Sequence, residues 1–180
     1  MKYVPFITLL AVASVWAGSQ EKPKDKDPLV EQTKTMLKLA SAEGSGGLYR
    51  YMSFAQPDEN AVVADKRLGK IRKWANSLRD MEEDRKEHPE RYGELSYKSF
   101  EISRNRDDKG NPLPSITIRF NIPPEAQFNI IPHPVKAIEW TLVFETNPAG
   151  PPAKGDPVWL LVGVERQDIP AARPGLLYTL

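Results

Sequence analysis

The spacing of apolar residues changes once along this chain, near residues 92–93, and that change limits the folds it can adopt. Before it, apolar residues recur every three or four positions, which is typical of amphipathic helices. After it, apolar and polar residues alternate, which is typical of strands with one buried face. Helices followed by such strands indicate an α+β fold. We therefore predict N-terminal helices packed on an antiparallel sheet of about four strands.

The first predicted helix covers residues 28–43. Asp27 is placed to cap its N-terminus, and Pro28 suits its first turn. The glycine-rich residues 44–47 end the helix. Residues 48–54 fit either a short helix or a strand, and we favour the helix.

The second predicted helix is the longest and covers residues 59–87, with His88-Pro89 marking its end. Its apolar residues repeat at helical spacing and predict one buried side. That predicted inner stripe comprises Leu68, Ile71, Ala75, Leu78 and Met81, with Trp74 at its edge.

Four strands are predicted beyond the period change, at residues 95–103, 116–122, 138–144 and 160–164. In the last of them, Leu160, Val162 and Val164 share one face because strand side chains alternate. Trp159 is out of phase with these three. We expect it to be either an exposed, ligand-stacking aromatic or a residue covered by the C-terminal residues 169–180.

The N-terminus has the pattern of an export signal peptide at residues 1–19. Lys2 precedes an uncharged run that is too short to cross a bilayer, which takes about 20 apolar residues. Small residues suit cleavage after Ala17 or Ser19, and the polar residues 20–27 are predicted to be a flexible linker. The alternatives are an uncleaved anchor or a buried core helix. We favour export to the bacterial periplasm or the extracellular space.

Composition bounds the exported part further. The chain contains no cysteine, so neither a disulfide nor a thiol-linked lipid anchor is available to it. Residues 28–166 are enough for a single domain with its own core, and residues 167–180 would form a C-terminal tail. Without Lys2 the sequence holds 24 basic and 24 acidic residues, whereas nucleic-acid-binding domains usually show a basic excess. We predict no bound nucleic acid and no stable membrane span after processing.

No motif predicts a catalytic residue, a metal site or a cofactor. His88 and His133 are the only histidines, and their separation gives no zinc-binding pattern. Ser45 lies in a glycine-rich stretch that lacks the spacing of a nucleophile elbow. Residues 107–111 lack calcium-loop spacing and favour a turn.

A basic run at residues 66–73 contains five cations. Lys66, Lys70 and Lys73 share one side of the predicted helix, so we expect them to be exposed. They could bind an anionic lipid or polymer. Acidic residues at positions 80–84 follow on the same helix, and we therefore favour a solvated helix face whose field is offset.

The candidate ligand-binding residues are aromatic: Tyr51, Phe54, Trp140 and Trp159. Ligand pockets are mostly apolar with a few polar groups, which suits a small apolar ligand or an envelope protein as partner. Trp140 is in phase with the apolar face of its strand and could equally be core. The proline-rich residues 123–135 form a long connection that is either functional or a cover for the sheet rim.

The order of these elements resembles the nuclear transport factor two-like superfamily. The residues that carry the resemblance are 29–43 and 46–52 in the helical half, with 138–143 and 157–164 in the last two strands. It covers about residues 28–166. The resemblance implies a cystatin-like α+β cone, in which a curved sheet wraps the helices and can leave a cavity.

Some members of that superfamily are enzymes, and many exported ones are binding or accessory modules. We expect an exported, non-catalytic binding or accessory domain. The alternative is a small cavity enzyme of the hydrolase or isomerase kind, which needs a buried titratable group. Its candidates are Glu101, Glu139 and His133. No catalytic residue is carried over, because no Asp/His pair is evident at positions expected to face the cavity.

Overall fold

The computed structural model describes residues 27–54, 56–92, 96–122, 135–149 and 156–171. They form two long helices followed by a four-stranded antiparallel sheet that does not close on itself. The helices are α1 (Pro28–Glu43), α2 (Ala61–Glu87) and the short α3 (Pro89–Tyr92), and the strands are β1 (Glu101–Arg106), β2 (Pro112–Asn121), β3 (Val135–Thr146) and β4 (Trp159–Pro170). The predicted α+β class, with helices packed on a sheet, is confirmed.

Helix α1 has the predicted bounds because both of its ends are capped. The Asp27 carboxylate accepts hydrogen bonds from the backbone N–H groups of Leu29 at 2.9 Å and Val30 at 3.4 Å. At the other end Gly44 adopts a φ of +62°, which favours glycine. A Cβ at that position would lie 2.6 Å from Oδ1 of Asn76. Glycine is therefore favoured there by backbone conformation, and a larger residue would also displace the Asn76 side chain.

The glycine-rich turn after α1 is attached to α2. The backbone N–H of Ser45 donates to Oδ1 of Asn76 at 2.9 Å. A Cβ at Gly47 would lie 2.8 Å from the backbone oxygen of Leu39, so this turn also packs closely on α1. The structure thus confirms a turn at Ser45, where the sequence lacked the pattern of a nucleophile.

The segment predicted as a short helix at residues 48–54 is helical for one turn only. Tyr49–Tyr51 form a 3₁₀ helix, and Met52 then forms a parallel bridge with Leu161 of β4. The backbone N–H of Ser53 donates to the Leu161 oxygen at 3.0 Å. The prediction was partly wrong because pairing with the sheet edge takes over from local helix formation.

Helix α2 begins at Ala61, two residues later than predicted, because the Asn60 side chain caps it by accepting from Val63 N–H at 3.0 Å. His88 ends it as predicted. Trp74 is only 4% exposed and belongs to the core, rather than to its edge. The other buried apolar residues of α2 are Leu68, Ile71, Ala75 and Leu78, and Met81 is partly buried against them.

Glu82 of α2 is a charged residue that is buried, with a relative exposure of 8%. It pairs with Arg85, whose Nε lies 3.1 Å from Oε2 of Glu82. The hydrogen bond from Arg85 holds the pKa of Glu82 below its usual value of 4.5, against the opposing effect of burial.

The sheet has one buried and one polar face. Ile118 of β2 is paired with Trp140 of β3, and both are buried under the helices. Their neighbours Arg119 and Glu139 point to the opposite face, where Nη1 and Oε1 lie 3.0 Å apart. This alternation is the predicted pattern for a sheet with one covered face.

Strand β1 begins six residues later than predicted. Residues 97–99 form a 3₁₀ helix, in which the Ser96 hydroxyl accepts from Lys98 N–H at 3.2 Å and the Ser99 hydroxyl accepts from Ser96 N–H at 3.3 Å. Such local side-chain bonds compete with strand formation, which explains the shift.

The predicted turn at residues 107–111 is confirmed. The Asp107 carboxylate accepts from the N–H groups of Lys109 at 2.9 Å and Asn111 at 2.8 Å. These bonds, led by those from Asn111, lower the pKa of Asp107 below 3.8. Gly110 has a φ of +83°.

Strand β4 contains a bulge that the sequence did not predict. Val143 is paired with Gly163, but the next residue of β3, Phe144, is paired with Leu161, so Val162 is an extra residue. The predicted single face of Leu160, Val162 and Val164 is therefore wrong. The buried residues are Leu161 and Val164, because the bulge shifts the alternation by one position.

Several predicted segments lie outside the described residues. They are the signal peptide at residues 1–19, most of the linker, residues 123–134 with His133, and residues 172–180. Among the helices that are described, none is long and apolar enough to cross a membrane.

Candidate functional site

An open groove runs between α2 and β4. Its main part has a volume of about 540 Å³, and an adjoining part of about 330 Å³ continues toward the start of α2. The two parts share Lys70, Val164 and Glu165, so we treat them as one feature, the α2–β4 groove. Pockets that hold small ligands usually measure roughly 300 to 1,000 Å³.

The helical wall of the groove comes from one side of α2. Lys70, Lys73, Trp74 and Ser77 are spaced so that they project together from the helix. The Ser77 hydroxyl donates to the backbone oxygen of Trp74 at 2.7 Å. The buried indole N–H of Trp74 has no hydrogen-bond acceptor in the described part of the chain.

The strand wall is apolar at its base. Trp140 and Val164 line the groove and are each 7% exposed. The ring centroid of Trp140 lies 5.8 Å from the ring centroid of Phe100. The ring centroid of Phe100 lies 5.2 Å from that of Phe120. This aromatic packing fixes the Trp140 ring, and with Trp74 it gives the groove an apolar floor of fixed shape.

The rim of the groove is basic. Lys66, Lys70 and Lys73 are exposed, as predicted, and all three line it. Glu165 is the acidic residue among the lining residues. Arg166 also lines the main part, but its Nε lies 2.7 Å from the Asp168 carboxylate, which offsets its charge.

Arg67 belongs to the same basic run in sequence but has a different role. Its Nε and Nη2 donate to the two carboxylate oxygens of Glu59, each at 2.8 Å. Its Nη1 donates to the backbone oxygens of Ser53 at 2.8 Å and Val162 at 3.3 Å. The guanidinium therefore holds the β4 bulge in place, and the pKa of Glu59 lies below 4.5 mainly because of the hydrogen bond from Arg67.

The predicted ligand-binding aromatics Tyr51 and Phe54 lie in the segment after α1. Tyr51 is 5% exposed, and its hydroxyl accepts from the Arg50 guanidinium at 3.2 Å. Phe54 is 41% exposed, and its ring lies 4.7 Å from the ring of Tyr49. Neither residue lines the α2–β4 groove.

Trp159 is partly buried by other parts of the domain. The backbone oxygen of Trp159 accepts from Nε2 of Gln32 at 2.7 Å, and the backbone N–H of Trp159 donates to Oε1 of Gln32 at 3.2 Å. The Arg104 guanidinium lies 5.6 Å from its ring. Of the four predicted aromatics, only Trp140 therefore lines the groove, and the structure does not bring them together.

The candidates for the enzyme alternative do not converge on the groove. Glu139 pairs with Arg119 on the outer face of the sheet, and Glu101 is exposed and accepts from Nδ2 of Asn121 at 2.7 Å. His133 lies outside the described residues. No group of three or more His, Asp or Glu side chains suited to a metal ion occurs within the described ranges.

Sequence reasoning missed Trp74 and Ser77 as lining residues. A local signal was present, since Lys70 and Trp74 are four residues apart and therefore neighbours on a helix. The sequence could not show that this side of α2 faces Val164 and Arg166. That proximity depends on how α2 packs against β4.

No protein-family model, curated protein or solved structure matches the chain. The resemblance to the nuclear transport factor two-like superfamily accordingly stays a prediction from element order.

Proposed function

We propose that this protein is an exported, non-catalytic binding domain and that the α2–β4 groove is its ligand site. The observation that carries the proposal is the apolar floor of Trp74, Trp140 and Val164 at the base of an open groove of about 540 Å³. Indole rings offer a large, rigid contact area, and polar groups at a rim can orient what binds.

The size of the groove favours a small ligand over the envelope-protein partner. A stable protein interface buries about 800 Å² on each partner, so a protein would have to contact surface well beyond this groove. The chemistry of the lining favours binding over turnover. The Ser77 hydroxyl donates to a backbone oxygen and is not paired with a base.

The proposal is tested by filling the groove without disturbing the core. Ser77 is exposed and lies on the wall, so Ser77→Trp should block the groove while α2 still folds. We expect the uncharged fluorophore N-phenyl-1-naphthylamine to bind the unmodified protein saturably. Its dissociation constant should rise at least about tenfold in Ser77→Trp, because the apolar contact is lost.

Two controls make this experiment specific. Ser77→Ala removes the hydroxyl without filling the groove and should bind the fluorophore normally. Arg72→Trp adds the same ring at an exposed position of α2 that does not line the groove. If Ser77→Trp keeps its circular dichroism spectrum and still binds like the unmodified protein, the groove is not the site. If the unmodified protein fails to bind the fluorophore at all, the proposal of a small apolar ligand fails.

A further inference from the structure

We infer that the ligand of the α2–β4 groove is a small anionic amphiphile, with an apolar body on the tryptophan floor and a single acidic head, such as a carboxylate, at Lys70 and Lys73. This inference rests on the proposed function and adds the chemical class of the ligand.

Positive charge lies next to the apolar floor of the groove. Lys70 and Lys73 line the same part of the groove as Trp74, and Lys66 lines the adjoining part. A lysine has a flexible stem and a compact charge, so exposed lysines at a rim can reach a head group above an apolar base. An uncharged ligand would leave these ammonium groups without a role.

Three of the acidic residues that follow the lysines on α2 are already engaged. Asp80 lies 2.8 Å from Arg79, Glu82 pairs with Arg85, and Glu83 lies 3.7 Å from Arg79. From sequence, these residues were expected to offset the lysines. In the structure they pair with arginines further along the helix.

The charges of the groove's own lining residues do not cancel. Within the described ranges, Lys66, Lys70 and Lys73 form no ion pair, whereas the two lining arginines are paired with Glu59 and Asp168. Among the described lining residues, Glu165 is the acidic one, against three lysines without an ion pair. The described lining residues therefore carry a positive excess, although the formal net charge of the whole chain is only +1.

The shape of the site decides between a small amphiphile and a larger anionic surface. A membrane or an acidic polymer would need an extended basic face, but Lys70 and Lys73 border a groove of about 540 Å³ with Trp140 and Val164 at its base. Apolar floor and basic rim lie within one binding volume. A single molecule with both properties satisfies them together.

The test compares two fluorophores that differ by one charged group. 8-Anilino-1-naphthalenesulfonate is N-phenyl-1-naphthylamine with an added sulfonate. We expect the sulfonate to bind the purified protein about tenfold more tightly than the neutral compound at low salt, and the difference to shrink at physiological salt. Dodecanoate should displace the bound sulfonate fluorophore at about tenfold lower concentration than 1-dodecanol does.

The matched variants carry the same change of net charge. Lys70→Gln/Lys73→Gln should weaken sulfonate binding about tenfold and leave the neutral compound unaffected. Lys38→Gln/Lys86→Gln removes two exposed lysines that do not line the groove and should leave both unaffected. Ser77→Trp should weaken the binding of both fluorophores.

The outcomes separate the inference from the proposed function. Equal binding of the two fluorophores, with no effect of Lys70→Gln/Lys73→Gln, would overturn the inference and leave the binding groove standing. If neither fluorophore binds, the inference and the proposed function are both overturned. Sulfonate binding that depends on the lysines but survives Ser77→Trp would show association with the charged helix surface, and would also overturn the inference.

Discussion

The Arg67 guanidinium joins three parts of the chain that are far apart in sequence. It binds Glu59 just before α2, the backbone of Ser53 in the segment that borders β4, and the bulge residue Val162. Both charged side chains are largely buried, at 15% and 8% exposure. Removing one partner of such a pair is harmful, because the other charge and the backbone oxygens then lose their donor or acceptor.

This pair predicts a specific dependence of stability on pH. The pKa of Glu59 is lower in the folded protein than its usual value of 4.5, so the carboxylate stabilises the fold above pH 4.5. That stabilisation is lost as the pH falls through the lowered pKa. In Glu59→Gln, the urea midpoint should therefore fall less between pH 6 and pH 3 than it does in the unmodified protein.

The control for this experiment is Glu83→Gln, which removes a carboxylate of α2 that is 60% exposed. Glu82 and Asp107 also have lowered pKa values and titrate in every variant, so only the difference between variants is informative. Parallel pH profiles for Glu59→Gln and the unmodified protein would contradict the assignment of acid sensitivity to this pair.

At the scale of elements, glycines have distinct roles in the turn after α1 and within α2. Gly44 and Gly47 have no room for a Cβ, which would meet Asn76 and the Leu39 backbone. Gly69, in the exposed middle of α2, would meet nothing within 4 Å. Gly47 is thus required by packing and Gly44 is favoured by its positive φ, whereas Gly69 only weakens its helix.

We predict opposite effects for alanine at these positions. Gly47→Ala should destabilise the protein by about 1 to 3 kcal/mol, because the backbone of α1 would have to shift. Gly69→Ala should stabilise it by about 0.5 to 1 kcal/mol, because alanine favours a helix interior over glycine. Urea unfolding of both variants checks this, and a shift of the same sign in both would contradict the packing around the turn.

At the scale of the whole molecule, the domain stabilises itself without cysteine through one continuous core. That core joins α1, α2 and the covered face of the sheet, and its fully buried side chains include Leu29, Ile71, Ile118 and Leu142. The outer face of the sheet is polar. The α2–β4 groove lies at the border of this core, where the largely buried Trp74 and Trp140 line its base.

Export is the prediction that belongs to this scale. When the full chain is expressed in a Gram-negative host, the processed protein should be recovered from the periplasm or medium with its N-terminus at Gly18 or Gln20. The variant Leu9→Arg/Leu10→Arg places charges in the apolar run and should remain unprocessed inside the cell. Recovery of the unmodified chain with residues 1–19 still attached would contradict the predicted signal peptide. N-terminal sequencing of each fraction distinguishes these outcomes.

The sequence by itself determined the features that depend on near neighbours. Asp27 caps α1, glycine ends it, His88-Pro89 ends α2, and residues 107–111 turn between β1 and β2, because each depends on residues a few positions apart. The alternation in β2 and β3 likewise identified which face is buried. These local signals were enough to predict the α+β class.

Only the tertiary structure decided the phase of β4 and the composition of the groove. Val162 is an extra residue because of how β4 pairs with β3, and the Arg67 side chain is drawn to that bulge and to Glu59 rather than to solvent. The groove brings α2 residues 70–77 beside residues 140 and 164–166. These positions are distant in sequence, so strand register and helix packing alone bring Trp74, Trp140 and the lysines together.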